Sequence, residues 1–352
     1  MRIVVNDIAA SKGGAMTVLK DFYSCVCEND KQNEWIFLLG DKYFTETENV
    51  KIIAIPKIKK SALRKVAFDF FSGKRFINSL KPDVVFSMQN IITFGVKAKQ
   101  VLYLHQSIPF QSAKRFSFFK AKERKLAFIQ FVIGAIIKRS VRKADEVIVQ
   151  TEWMKEAVCK QCNADNQKVC NILPNVNDIL HKKNESLFDS KTFFYPTAKA
   201  IYKNNDCIFS ACELLDRKNI DYSITLTLPK EFSKDKIDCI GRIPYDDVIR
   251  LYNKSTLIFP SYIETFGYPL AEARMLGSII LASDCPFSHE VLSGYENAFF
   301  FNPFSADELC VLMEKVISGE IKRIETKTKP QKKENNWIKV LNIVLGAGNE
   351  NS

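Results

Sequence analysis

The chain has little of what several protein classes require. None of its apolar runs reaches the roughly 18 to 20 residues that a membrane-spanning helix needs, so a soluble or peripheral protein is expected. Ten cysteines occur in 352 residues, without the spacing of a disulfide scaffold. The lone Cys159/Cys162 pair lacks the second pair of a zinc site, which points to a reducing, cytoplasmic setting and no metal. Residues 1–7 read as a strand and not as a signal peptide. Histidine is scarce, with three residues. There is no Gly-x-Gly-x-x-Gly run, no P-loop lysine, no Asp-x-Asp pair, no nucleic-acid recognition motif and no internal repeat.

What is present is a large apolar fraction and an uneven charge. With 46% hydrophobic residues, the length supports two ordinary cores better than one very large one. The formal charge of +11 lies in the first half: residues 1–180 carry 29 Lys+Arg against 17 Asp+Glu, and the remainder 22 against 23. The excess concentrates between residues 51 and 143. Residues 126–137 form an apolar run bracketed by Lys120, Lys122, Arg124 and Lys125 on one side and Lys138, Arg139, Arg142 and Lys143 on the other. Such a segment is either a helix lying on a membrane surface with snorkelling cations or a core helix with solvated ends. Residues 57–81 add a basic stretch carrying Phe68, Phe70, Phe71 and Phe76. Together these favour an anionic membrane surface over nucleic acid as a partner.

Short β-branched runs alternate with helical patterns throughout, which argues for parallel sheets covered by helices. Strands are expected at 3–5, 35–39, 52–55, 84–87, 101–104 and 147–150, then at 193–195, 223–228, 237–239, 257–259, 279–282 and 298–301. The polar stretch 175–190 reads as a linker between an N-terminal domain, 1–174, and a C-terminal domain, 191–334. After a charged tail from Glu320 to Asn336, helical periodicity returns at Trp337.

The strongest local signal is Pro260-Ser-Tyr-Ile-Glu-Thr-Phe-Gly-Tyr-Pro-Leu-Ala-Glu-Ala273. A strand ends near Pro260, Gly267 relaxes the turn, and Pro269 suits the first residue of a helix because its missing N–H would be unpaired there. Glu264 then falls in the loop and Glu272 in the first helical turn. Amides from Phe266 to Leu270 and the positive end of the helix dipole favour an anion such as a diphosphate. Two carboxylates beside an anion would repel it unless they accept hydrogen bonds from neutral hydroxyls, as sugars and riboses supply. Taken alone, Glu272 would be an ordinary acid near a helix start.

This segment resembles the Glu-x7-Glu signature of the retaining family-four glycosyltransferases. The resemblance continues through Ile279–Glu290 and upstream through Ile240–Tyr252, and is patchier over the first half. It implies an α/β fold of two doubly wound Rossmann-like domains facing a cleft (GT-B), with residues 335–352 crossing back to the N-terminal domain and Trp337 as anchor. It also implies a nucleotide-sugar donor, a lipid-linked saccharide acceptor, no metal and no cofactor.

By the same resemblance, Glu264 orients the donor sugar, Glu272 the ribose, and Thr265, Phe266, Gly267 and Tyr268 line the donor site. Lys203 falls where the family places a diphosphate lysine. The family's Gly-Arg is replaced by Thr197 and Ala198, so Lys199 or Arg242 would have to compensate. Gly241 matches a turn that meets the base, and Gly13 with Gly14 the N-terminal glycine loop. His105, at a strand's carboxyl end, matches a histidine near the transferred sugar. Gln89, Asn90 and Gln106 at neighbouring strand ends are acceptor-binding candidates. A nucleotide-sugar 2-epimerase and a non-catalytic sugar-nucleotide-binding scaffold are the alternatives.

Overall fold

The computed structural model describes residues 1–10, 14–59, 62–325 and 335–346; Gly13 and most of the charged tail lie outside these. The chain forms two compact units. The first comprises residues 1–111, 125–175 and 335–352, and the second residues 112–124 and 176–334. This division departs from the expected boundaries in two places. Residues 112–124 group with the second unit, and the stretch expected as a linker belongs to that unit's packing. Ile179 is buried there, and the Asn184 amide donates to Asn253 Oδ1 at 2.7 Å.

In the first unit, seven strands form a parallel sheet: β1 (Arg2–Asp7), β2 (Glu34–Leu39), β3 (Val50–Ala54), β4 (Val84–Ser87), β5 (Lys99–Tyr103), β6 (Glu146–Val149) and β7 (Val169–Asn171). Their order is β3-β2-β1-β4-β5-β6-β7. In the second unit, β8 (Thr192–Tyr195), β9 (Ser223–Leu226), β10 (Ile237–Cys239), β11 (Thr256–Phe259), β12 (Ile280–Ser283) and β13 (Ala298–Phe301) are ordered β10-β9-β8-β11-β12-β13. All ladders in both sheets are parallel. Helices cover both faces of such sheets, which is why β4, β11 and β12 are buried at every position.

In each sheet the strand order reverses once, between β1 and β4 and between β8 and β11. Connections leave in opposite directions from such a point and open a crevice beyond the strands' carboxyl ends. Lys203 and Glu264 follow β8 and β11 at one of these points, and Gln89 and Asn90 follow β4 at the other.

The C-terminal helix, Asn336–Leu345, packs on the first unit. Asn335 caps it by accepting the Trp337 N–H at 3.1 Å. Trp337, Val340, Leu341 and Val344 are buried in the same cluster as Phe22, Trp35, Phe86 and Tyr103. The Trp337 ring lies 5.7 Å from Phe22 and 5.6 Å from Tyr103.

The apolar run at 126–137 is one long helix in three pieces, Arg124–Ala127, the π-helical Phe128–Ile133 and Gly134–Lys143. Gly134 is required for contact: a Cβ there would stand 2.9 Å from Pro109. One face, with Ile137 and Val141, enters the core, while Phe128 and Val132 are exposed. Of the phenylalanines in the second basic stretch, Phe68 is buried, Phe70 stacks on Phe94 at 4.6 Å and Phe76 packs on an apolar cluster. Only Phe71 is strongly exposed. No helix among the described residues is long and apolar enough to cross a membrane.

Candidate functional site

At the β8/β11 switch point, the loop after β11 carries Glu264 and the loop after β8 carries Lys203. Lys203 Nζ donates to Glu264 Oε1 at 2.5 Å, and Ser261 Oγ donates to the same oxygen at 2.7 Å. Both ion-pair partners are mostly sheltered, with side chains 21% and 17% exposed. Neither loop holds this geometry alone. Asn204, left-handed at φ +58°, donates through Nδ2 to the Pro260 carbonyl at 3.1 Å and the Pro303 carbonyl at 2.6 Å. It thereby ties the residue after Lys203 to the loops following β11 and β13.

Gly267, at φ +91°, caps the helix Tyr268–Met275. Its left-handed backbone would strain any other L-residue, and an added Cβ would press on Leu270 at 3.3 Å. With the cap at Gly267, Pro269 is the second helical residue and not the first, and Glu272 lies in the second turn, not the first as expected. The expected set of anion-binding amides also shrinks. Pro269 has no N–H, and the Leu270 amide donates to the Gly267 carbonyl at 2.9 Å. Phe266 is buried and Tyr268 is exposed, their rings edge to face at 5.3 Å. Thr265 is half-buried.

Two tyrosines that the sequence reading did not nominate hold Glu272. Tyr245 donates to Oε1 at 2.9 Å and Tyr252 to Oε2 at 3.0 Å. They stand seven residues apart on the helix Tyr245–Lys254, hence on one face. Burial raises the Glu272 carboxyl above its usual range, and the two hydroxyls act against that rise. Each carboxylate oxygen keeps acceptor capacity after taking one hydrogen bond.

The two residues nominated to replace the missing arginine are placed as follows. Lys199 Nζ sits 4.7 Å above the Phe232 ring, and Arg242 is exposed. Thr197 instead ties β8 to β9, its amide donating to Thr227 Oγ1 at 2.6 Å. Gly241, at φ +71°, has open space where a Cβ would stand.

In the first unit, Gln89 and Asn90 follow β4, and His105 follows β5. The Asn90 carboxamide makes both contacts to His105. Its Oδ1 accepts the His105 backbone N–H at 2.7 Å, which turns Nδ2 toward the ring Nε2 at 3.1 Å. A donor facing Nε2 fixes the ring proton on Nδ1. The ring is enclosed although the residue keeps some surface, and burial, aided by Lys65, lowers its pKa to about 4. His105 is therefore neutral near pH 7. Gln106 Oε1 accepts the Ile108 amide of its own loop at 3.3 Å. Gly14 opens the helix Gly14–Asn29 and is exposed.

Residues 229–337 match the family described as Glycosyl transferases group 1. That match contains Glu264, Glu272 and both of its tyrosines. The chain is a glycosyltransferase of the GT-B fold. The enzyme is 26% identical over 264 residues to the O-antigen chain mannosyltransferase RfbU of Salmonella typhimurium, covering 72% of each chain. Its fold is similar to that of WaaG, a glycosyltransferase involved in lipopolysaccharide biosynthesis, with a TM-score of 0.69 at 14% identity over 98% of this chain and 100% of that one. It is also similar to Anabaena Alr3699/HepE in complex with UDP-glucose, with a TM-score of 0.62 at 15% identity, covering 91% and 90%.

Proposed function

We propose that this glycosyltransferase moves a sugar from a nucleotide-sugar to a lipid-linked or growing surface glycan of the O-antigen, capsule or exopolysaccharide type, with retention at the anomeric carbon. The observation that carries the reading is the convergence of a carboxylate, an ammonium and a helix N-terminus at the β8/β11 switch point. The names of the RfbU and WaaG relatives support the product class, and the UDP-glucose complex of HepE supports the donor class.

In this mechanism Lys203 and the amide end of the helix at Gly267 meet the charge that develops on the departing diphosphate. Glu264, whose two contacts fall on Oε1, offers Oε2 to a sugar hydroxyl. Glu272 takes the ribose hydroxyls. The acceptor hydroxyl enters on the face the nucleotide leaves; its oxygen bonds to the anomeric carbon as the carbon–oxygen bond to phosphate breaks, and its proton passes to the leaving phosphate. No enzymic nucleophile and no metal are invoked. Neutral His105, its Nε2 held by Asn90, shapes the acceptor side from within, and Gln89, buried and bonded to Asp69, is not among the groups offered to the acceptor.

The test is a panel of nucleotide-sugars screened by thermal shift, followed by transfer to a polyprenyl-diphosphate glycan. One donor should stabilise the protein and be consumed only with acceptor. Consumption without acceptor would favour an epimerase, and stabilisation without turnover a scaffold. Tyr252→Phe should weaken donor affinity roughly fivefold to tenfold by removing one hydrogen bond to a charged group. Unchanged donor titration would remove Glu272 from the site.

Work at the cytoplasmic face of a membrane is part of the proposal. Phe119 is 95% exposed and is followed by Lys120, Lys122, Arg124 and Lys125. An apolar tip with cations beside it suits an anionic lipid surface. Binding to anionic vesicles should fall several-fold between low and high salt, and further in Phe119→Ser. Salt-independent sedimentation with neutral vesicles would refute it.

A further inference from the structure

Beneath the β1/β4 switch point lies a buried polar cluster that the reaction as proposed does not use. Asp69 lies in the π-helical turn Phe68–Ser72 and is 2% exposed; such turns recur at functional sites. Its Oδ1 accepts from Gln89 Nε2 at 3.0 Å and from Thr93 Oγ1 at 3.4 Å. Its backbone carbonyl accepts the Phe94 N–H at 2.8 Å. Thr93 Oγ1 in turn accepts from Asn6 Nδ2 at the end of β1, at 3.1 Å. One residue thus holds the loop that follows β4 at Gln89 and again at Thr93 and Phe94. That loop carries Asn90, itself left-handed at φ +66°, which fixes the His105 ring.

We propose that Asp69 is a positioning residue of the acceptor side: by holding Gln89, Thr93 and Phe94 it sets the loop whose Asn90 fixes His105, and through it the shape offered to a saccharide acceptor. This rests on the transferase reading above. The cluster is more than a packed core. Gln89 Oε1, Asn6 Oδ1 and Ser87 Oγ are buried acceptors without a hydrogen-bond partner among the described residues, at the ends of the two strands that flank the switch point. A scaffold that needed only stability would have apolar groups there. The charged group facing Asp69 is Lys65, on the helix Ala62–Ala67, which also acts on Asp7 at the end of β1 and on His105. Burial pushes both Asp7 and Asp69 up to about 7, with Lys65 opposing. The Asp69 carboxylate, the stronger acceptor of the two protonation states, is therefore gained as pH rises through about 7.

Asp69→Asn keeps the shape and removes the titration. At pH 8 its acceptor KM should exceed that of the wild type about tenfold, the loss of one charge-assisted hydrogen bond. At pH 6, where the wild-type group is protonated too, the gap should close to about twofold, with donor affinity unchanged at both pH values. Imidazole nitrogen chemical shifts, which need no turnover, should show His105 as the Nδ1–H tautomer in the wild type and as mixed tautomers in the variant. Should Asp69→Asn fail to fold, Gln89→Met, which cuts the same bond from the other side, is read in the same two assays. Wild-type-like KM at pH 8 together with an unchanged tautomer would overturn the proposal. Absence of transfer by the wild type, with the tautomer change still present, would instead refute the transferase reading.

Discussion

Glu264→Gln is expected to reduce sugar transfer by roughly 10² to 10³-fold or more, the range for removing one preorganised electrostatic contact at a reacting centre. The substitution costs the 2.5 Å ion pair with Lys203 and puts an amide where Oε2 would accept a sugar hydroxyl. The fold should survive, because Ser261 still has a hydrogen-bonding partner and Asn204 ties the loops independently. The measurement is single-turnover transfer with a saturating donor, beside thermal melts of both proteins. Undiminished turnover would remove Glu264 from the chemistry. Loss of turnover with a large drop in melting temperature would make its role structural.

Trp337→Ala carries the largest expected effect on stability, about 3 to 5 kcal/mol, as for other large aromatic truncations in cores. Its ring touches Phe22 and Tyr103, which belong to different layers of the first unit: Phe22 to the helix Gly14–Asn29 and Tyr103 to β5. Removing it opens a cavity between helix and sheet. In differential scanning calorimetry the transition of the first unit should fall by about 10 °C. A shift of under 2 °C would show that the terminal helix is an ornament on an already complete core.

The strands were the legible part of this fold, and the reason is physical. A parallel sheet covered on both faces demands continuous apolar runs, and each of the twelve strands expected from such runs is present, with ends displaced by at most two residues. The missed strand, Val169–Asn171, is a three-residue edge with one fully buried side chain, too short to make a pattern. The helix start at Gly267 was misplaced by one residue because Pro269 is tolerated at the first or the second helical position, and only the backbone turn at Gly267 decides between them.

At the site, residue types were more legible than partnerships. Glu264 and Lys203, 61 residues apart in sequence, were both nominated, yet their pairing depends on β8 and β11 being neighbours. The two tyrosines on Glu272 left a weak trace, a seven-residue spacing on an amphipathic helix that reads equally well as core. Asp69 and Lys65 left less, since an acid and a base four apart normally mark a solvated helix face; burial beside β1 inverts that reading. The contact of Lys199 with Phe232 was invisible for another reason: it is set by the neighbouring loop and not by the motif.

The Asn204 tie has a practical consequence for anyone remodelling donor preference. Residues 260–267 look like an exchangeable cassette between relatives, bounded by a strand and a helix. Yet the Pro260 carbonyl is anchored from across the sheet reversal by a side chain whose own backbone is left-handed. A transplanted loop would arrive without its mooring unless the recipient already has asparagine, or another residue tolerant of that conformation, at 204. The transferable module is accordingly a pair of segments distant in sequence, and swaps of the contiguous stretch alone should give folded but inactive chimeras.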